Sequence, residues 1–70
     1  MGWKERDEKP EVELSVTYLY ETDRAIQIND GDKDVWIPKS LCHYENKIFV
    51  VGENMELFVQ EWFAKQEGLI

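Results

Sequence analysis

Between Val12 and Tyr20 every second residue is apolar. Val12, Leu14, Val16, Tyr18 and Tyr20 fall on one side of an extended chain, and Glu13, Ser15 and Thr17 on the other. That period of two, carried by β-branched and aromatic residues, predicts a strand with one buried face. A strand of this kind needs partners, and the remaining sequence supplies short candidates. Glu21-Thr22-Asp23 is a polar connection. Arg24 to Asn29 reads as a second strand, with Ile26 and Ile28 on one face and Ala25 on the other. Asp30-Gly31-Asp32 is a turn signal, because glycine accepts positive φ and aspartate bonds its own backbone. Val35-Trp36-Ile37 is a third strand, stopped by Pro38.

Lys39 to Asn46 reads as a loop or a single helical turn that Ser40 could cap. Lys47 to Val51 is expected as a fourth strand, and Gly52-Glu53-Asn54 as a further turn. The last segment admits two readings. One is a single helix from Asn54 to Gln66, with Met55, Phe58, Val59, Trp62 and Phe63 on one stripe. The other is a fifth strand, Met55 to Val59, followed by a short helix over 60–67. Gly68 suits the helix-terminating position in both. The expected fold class is therefore α+β, mainly β. It is a small antiparallel meander or partly closed barrel of about five short strands with one short C-terminal helix. Residues 1–10 read as a flexible polar tail, with Trp3 either docked or loose, and residues 11–70 as a single domain.

A chain of seventy residues buries only about 60% of the surface it exposes when unfolded. Its core supports a net stability of roughly 3–5 kcal/mol. One cysteine, Cys42, rules out an intrachain disulfide. The compensation is aromatic: three Trp, three Tyr and three Phe are available to fill a small core. A homodimer would bury more of them.

The formal net charge of −7 argues against binding to a duplex nucleic-acid backbone or to anionic lipid. The acids gather at the two ends of the chain, while residues 39–52 hold Lys39 and Lys47 against Glu45 alone. No apolar run reaches membrane-spanning length, and Met1 to Pro10 lacks the apolar core of a secretory signal. With one free thiol, this fits a reducing cytosol.

Three constellations could carry chemistry. Asp30-Gly31-Asp32-Lys33-Asp34 opens like a calcium loop, but the glycine and the closing glutamate of an EF-hand are missing from their positions. A polar hairpin tip explains every residue of it. Cys42-His43 pairs the single thiol with the single imidazole, yet neighbours on an extended chain point apart, and zinc would need about four ligands. The paired carboxylates Glu11/Glu13, Glu21/Asp23 and Glu53/Glu56 would need to face a cleft for acid–base work, and a chain this short is expected to have little volume for one, so they read as solvated surface groups. The expectation is thus a non-enzymatic chain with no cofactor and no metal. Trp36, on the opposite face from Val35 and Ile37, is either core or contact.

The runs Glu21-Thr22-Asp23-Arg24-Ala25-Ile26 and Val35-Trp36-Ile37-Pro38-Lys39-Ser40, then Val59, Trp62, Ala64, Gly68 and Leu69, carry a resemblance. Across about residues 18–69 the chain resembles a group of small uncharacterised proteins of bacteriophages and mobile elements. Their pattern is E-T-[DE]-[KR]-A, then W-[IVL]-P-K-S, then V-P-x-W-[LF]-A and G-L. The resemblance implies a helix beginning near Gln60, where the group has proline, and so a strand over Met55–Val59. Cys42 to Asn46 has no match in that pattern. It also implies a phage-type origin.

Two functions are expected from different classes. One is an inhibitor of a host nucleic-acid-handling or defence complex, anti-CRISPR-like, acting by surface binding to a protein partner. Glu11, Glu13, Glu53, Glu56, Glu61 and Glu67 would supply the acidic surface. The other is a small-barrel accessory module of phage DNA metabolism, touching a single strand or a replication protein through Trp36, Lys39 and Tyr44, beside Ser40.

Overall fold

The computed structural model describes residues 10–45 and 47–70. The reading of residues 1–9 as a tail, Trp3 included, lies outside the described residues. Five strands form one antiparallel sheet: β1 (Glu11–Glu21), β2 (Ala25–Asn29), β3 (Asp34–Pro38), β4 (Cys42–Tyr44) and β5 (Asn54–Gln60). A single helix, α1 (Glu61–Gln66), follows. The strand order is β3-β2-β1-β5-β4.

β1 holds the sheet together. Its first seven residues pair with β5, from Glu11↔Gln60 to Thr17↔Asn54, and its last part pairs with β2. The β2 register steps from Tyr18↔Ile28 to Tyr20↔Gln27, so Leu19 is an extra residue, a β-bulge. The bulge corrects the predicted alternation. Val12, Leu14, Val16 and Tyr18 do share the inner face, but Tyr20 is moved to the outer one, where it is 58% exposed. Glu21 then turns inward beside Ile26.

The sheet is strongly coiled. A 3-10 turn of three residues, Lys39–Leu41, carries the chain from edge strand β3 to the opposite edge strand β4. In a flat five-stranded sheet those edges would lie about 19 Å apart, beyond the roughly 15 Å that four Cα steps can reach. The Cys42 thiol in fact bonds the Pro38 carbonyl at 3.6 Å. No backbone ladder joins β3 to β4, so the sheet curls without closing. Ser40 lies inside the 3-10 turn and does not cap it, because the turn starts directly from extended Pro38.

Curling turns the inner face on itself. Ile26, Ile28, Ile37, Leu57 and Val59 are fully buried, and α1 adds Phe63 and Ala64 as a lid. The terminal segment is therefore strand then helix, and the single-helix alternative does not occur. Met55, Leu57 and Val59 alternate inward with Glu56 and Phe58 outward, a period of two. The first amide of α1, Glu61 N–H, is satisfied by the Pro10 carbonyl at 2.9 Å. Its end is a Schellman motif: Leu69 N–H bonds Ala64 O, Gly68 N–H bonds Lys65 O, and Gly68 has φ 74°.

One expected strand is absent. Lys47 to Val51 is an irregular loop, and the fourth strand is instead Cys42–Tyr44. Glu53 explains the difference. Its carboxylate accepts the Val50 N–H at 2.9 Å and its own N–H bonds Val50 O, closing a turn around Gly52. The loop is fastened to β1 by Gly52 N–H to Tyr18 O and Tyr18 N–H to Glu53 O. Phe49 alone turns inward, stacked on Tyr18 at 5.4 Å, and leaves Ile48, Val50 and Val51 exposed.

A core this small tolerates little loss. Leu57→Ala should cost about 2–5 kcal/mol, comparable to the whole stability of a domain this size. Urea titration followed by circular dichroism should show it largely unfolded at 37 °C. Phe58→Ala, one residue along but on the outer face, should cost about 1 kcal/mol and keep a cooperative transition.

Candidate functional site: the outer face of the sheet

The helix covers only the inner side of the sheet. The outer side presents two rows of side chains across the strands. One row is His43 on β4, Phe58 on β5 and Glu13 on β1, which are successive cross-strand partners. The other is Tyr20 on β1, Gln27 on β2 and Trp36 on β3. Ser15, Thr17, Asn54 and Glu56 lie between or beside them.

The aromatic members are held by one another. Trp36 is 46% exposed and meets Tyr20 edge to face at 6.2 Å. Phe58, 40% exposed, stacks on His43 at 5.3 Å with the rings 16° apart. His43 Nδ1 lies 3.5 Å from the Glu11 carboxylate, a contact that is an ion pair only when the imidazole is protonated. Around Phe58 an open groove of about 590 Å³ is lined by Glu13, Ser15, His43, Glu45, Lys47 and Glu56, among others. Lys47 is engaged, with its ammonium 3.4 Å from Glu53 and 5.0 Å above the Phe49 ring. Among the described residues, Glu13, Glu45 and Glu56 make no ion pair.

The residues expected from the sequence divide into separate places. Glu11, Glu13 and Glu56 come together on β1 and β5 of the outer face, with Trp36 on the same face at its β3 edge. Lys39 and Tyr44 are not beside Trp36. Both converge on Glu21, where the carboxylate accepts from Lys39 Nζ at 2.8 Å, Tyr18 Oη at 3.3 Å and Tyr44 Oη at 3.4 Å. Ser40 is exposed on the 3-10 turn. Glu61 pairs with Lys65 at 3.4 Å near Pro10 and the half-exposed Trp62, away from the sheet's outer face. Of the wider acidic set, Glu53 is occupied by Lys47 and the Val50 amide.

Phe58, His43 and Tyr20 are the outer-face ring residues that the sequence did not single out as contacts. A signal for Phe58 was present: reading Met55 to Val59 as a strand places Glu56 and Phe58 on its far side. Nothing local marks Tyr20, because the bulge that turns it outward depends on pairing with β2.

Ionisation within the fold follows these contacts. The Lys39 hydrogen bond holds the Glu21 carboxyl below its ordinary range, against the opposing effect of its burial, and the same bond raises Lys39. Burial, with the Glu21 charge next, pushes Tyr18 and Tyr44 up. Burial pushes the Cys42 thiol up to about 11, so little thiolate exists at neutral pH. Cys42 faces inward while His43 faces out, as expected for neighbours on a strand. Asp30 is drawn down by accepting the Lys33 and Asp32 amides, so its carboxylate serves the hairpin tip.

No helix among the described residues is long and apolar enough to cross a membrane. No protein-family model, curated protein or solved structure matches the chain.

The Glu21 cluster generates a pH test. Because the folded carboxyl is shifted down, its contribution is complete above the ordinary carboxylate range and is lost as acid protonates it. Glu21→Gln should cost about 1 kcal/mol at pH 7 from weakened hydrogen bonds. Its penalty should shrink below about pH 4. Urea midpoints of the two proteins from pH 3 to 8 should converge at the acid end.

Proposed function

We propose that this chain is a non-enzymatic interaction protein of phage type, which inhibits a host nucleic-acid-handling or defence complex by covering a basic surface of it. The observation that carries the reading is the sheet face opposite α1, where Glu13 and Glu56, without an ion pair among the described residues, lie with Glu11 beside solvent-facing aromatic rings. Proteins that handle nucleic acids present lysine and arginine to phosphates. A rigid face bearing Glu13, Glu56 and Glu11 offers those side chains an alternative set of anions, and complementary charge speeds the encounter. Phe58 and Trp36 add the aromatic anchors in which contact energy concentrates. The E-T-D-R-A and W-I-P-K-S runs support a phage-type origin, and with it action in the bacterial cytosol. The partner in this reading is a protein, reached without cofactor or metal.

The Tyr20–Trp36 pair favours a second reading, a platform on which a single strand stacks in phage DNA metabolism. Glu13 and Glu56 oppose it, since a phosphate backbone would be repelled from their end of the face.

Capture from nuclease-treated host lysate, with the wild-type chain and with Glu13→Gln/Glu56→Gln as baits, separates the two. The expected outcome is a nucleic-acid-binding complex held by the wild type, at least about tenfold depleted with the variant, and unable to bind its nucleic acid while held. A complex that still binds its nucleic acid would contradict inhibition. Tight, salt-sensitive quenching of tryptophan fluorescence by single-stranded DNA would favour the stacking platform instead.

A further inference from the structure

We infer that the groove around Phe58 is a slot for an arginine side chain of the basic partner, and discriminates arginine from lysine. This rests on the reading of the outer sheet face as the partner-binding surface and specifies the chemistry it takes.

The argument starts from the floor of the groove, independently of its charge. Phe58 sits on a strand between fully buried Leu57 and Val59, so its backbone is fixed by the core beneath. His43 stacks on it at 5.3 Å, with its Nδ1 3.5 Å from the Glu11 carboxylate. The result is a near-parallel stack of two rings, 16° apart, with Phe58 open to solvent. A planar, delocalised guanidinium stacks on such a surface; a compact, strongly hydrated ammonium gains less from it. The walls then favour the same group. Glu13 is the direct cross-strand neighbour of Phe58, and Glu56 lies two residues along on the same face. Glu45 borders the groove from the end of β4. The guanidinium has five N–H donors in a rigid fork that suits carboxylates on either side, whereas lysine contacts them as a point charge.

The groove's own cation does not fill this place. Lys47 is turned to Glu53 and to the Phe49 ring. Three carboxylates thus face one ammonium that is already committed. The groove volume of about 590 Å³ is ample for a single long side chain entering from an open surface.

The test is isothermal titration of the full chain with nona-arginine and nona-lysine peptides at low salt. Tighter binding of the arginine peptide, by about fivefold, is expected. Phe58→Leu keeps apolar bulk on the exposed face and should reduce that preference to near unity while leaving the lysine affinity in place. Glu13→Gln/Glu56→Gln should weaken both peptides by about tenfold. Equal affinity of the wild type for the two peptides would overturn the slot while leaving the acidic-face reading intact. A preference that survives Phe58→Leu would also overturn it. Binding of neither peptide would overturn the slot and the acidic-face reading together. The wild-type comparison involves no substitution, so it stands whether or not a variant folds.

Discussion

The pairing of β1 with two different partners is the constraint on which the rest depends. One eleven-residue strand serves β5 along its first part and β2 along its last, and Leu19 is inserted after Tyr18. A bulge bends its strand and increases local twist. That lets the β2–β3 half turn over the β5–β4 half until three residues suffice to join the two edges. The curl makes a closed core out of one sheet and a six-residue helix. A flatter sheet of the same strands would leave much of the inner face wet, in a chain with no disulfide to compensate.

The same bulge organises the outside. By shifting alternation by one residue it moves Tyr20 outward to meet Trp36 and brings Glu21 inward to collect Lys39, Tyr18 and Tyr44. The Glu21 cluster ties β1 to the 3-10 turn and to β4, so it holds the curled edges together. One consequence is chemical: the lysine and tyrosine nearest the W-I-P-K-S run are engaged in structure. Glu13 and Glu56, which make no ion pair among the described residues, lie elsewhere, beside Phe58, whose strand the core anchors. A face of this kind is preorganised, so little ordering entropy opposes binding.

Local pattern made much of the fold legible. Val12 to Tyr18, Ile26/Ile28 and Val35/Ile37 alternate in sequence as they do in the sheet. Asp30-Gly31-Asp32 forms the expected turn, and Gly68 ends the helix. The features that were not legible all depend on long-range pairing. Leu19 is an unremarkable residue in an alternating run, and only the register with β2 makes it a bulge. Lys47 to Val51 has strand composition, yet Glu53 takes the Val50 amide and the strand forms at Cys42–Tyr44. For the site, Glu11, Glu13, Glu56 and Trp36 follow from alternation alone. Their company, Phe58 on His43, required knowing that β4 lies beside β5. The grouping of Trp36 with Lys39 and Tyr44 failed because sequence neighbours were separated by the turn at Pro38.

The most direct test of the account is a footprint by amide hydrogen exchange on the chain with its captured basic partner. Slowed exchange should fall on the outer-face strands, at Glu13, His43, Glu56 and Phe58, and leave the exposed loop at Ile48 to Val51 and α1 unchanged. Slowed exchange confined to that loop or to the helix, with the sheet face unaffected, would contradict it.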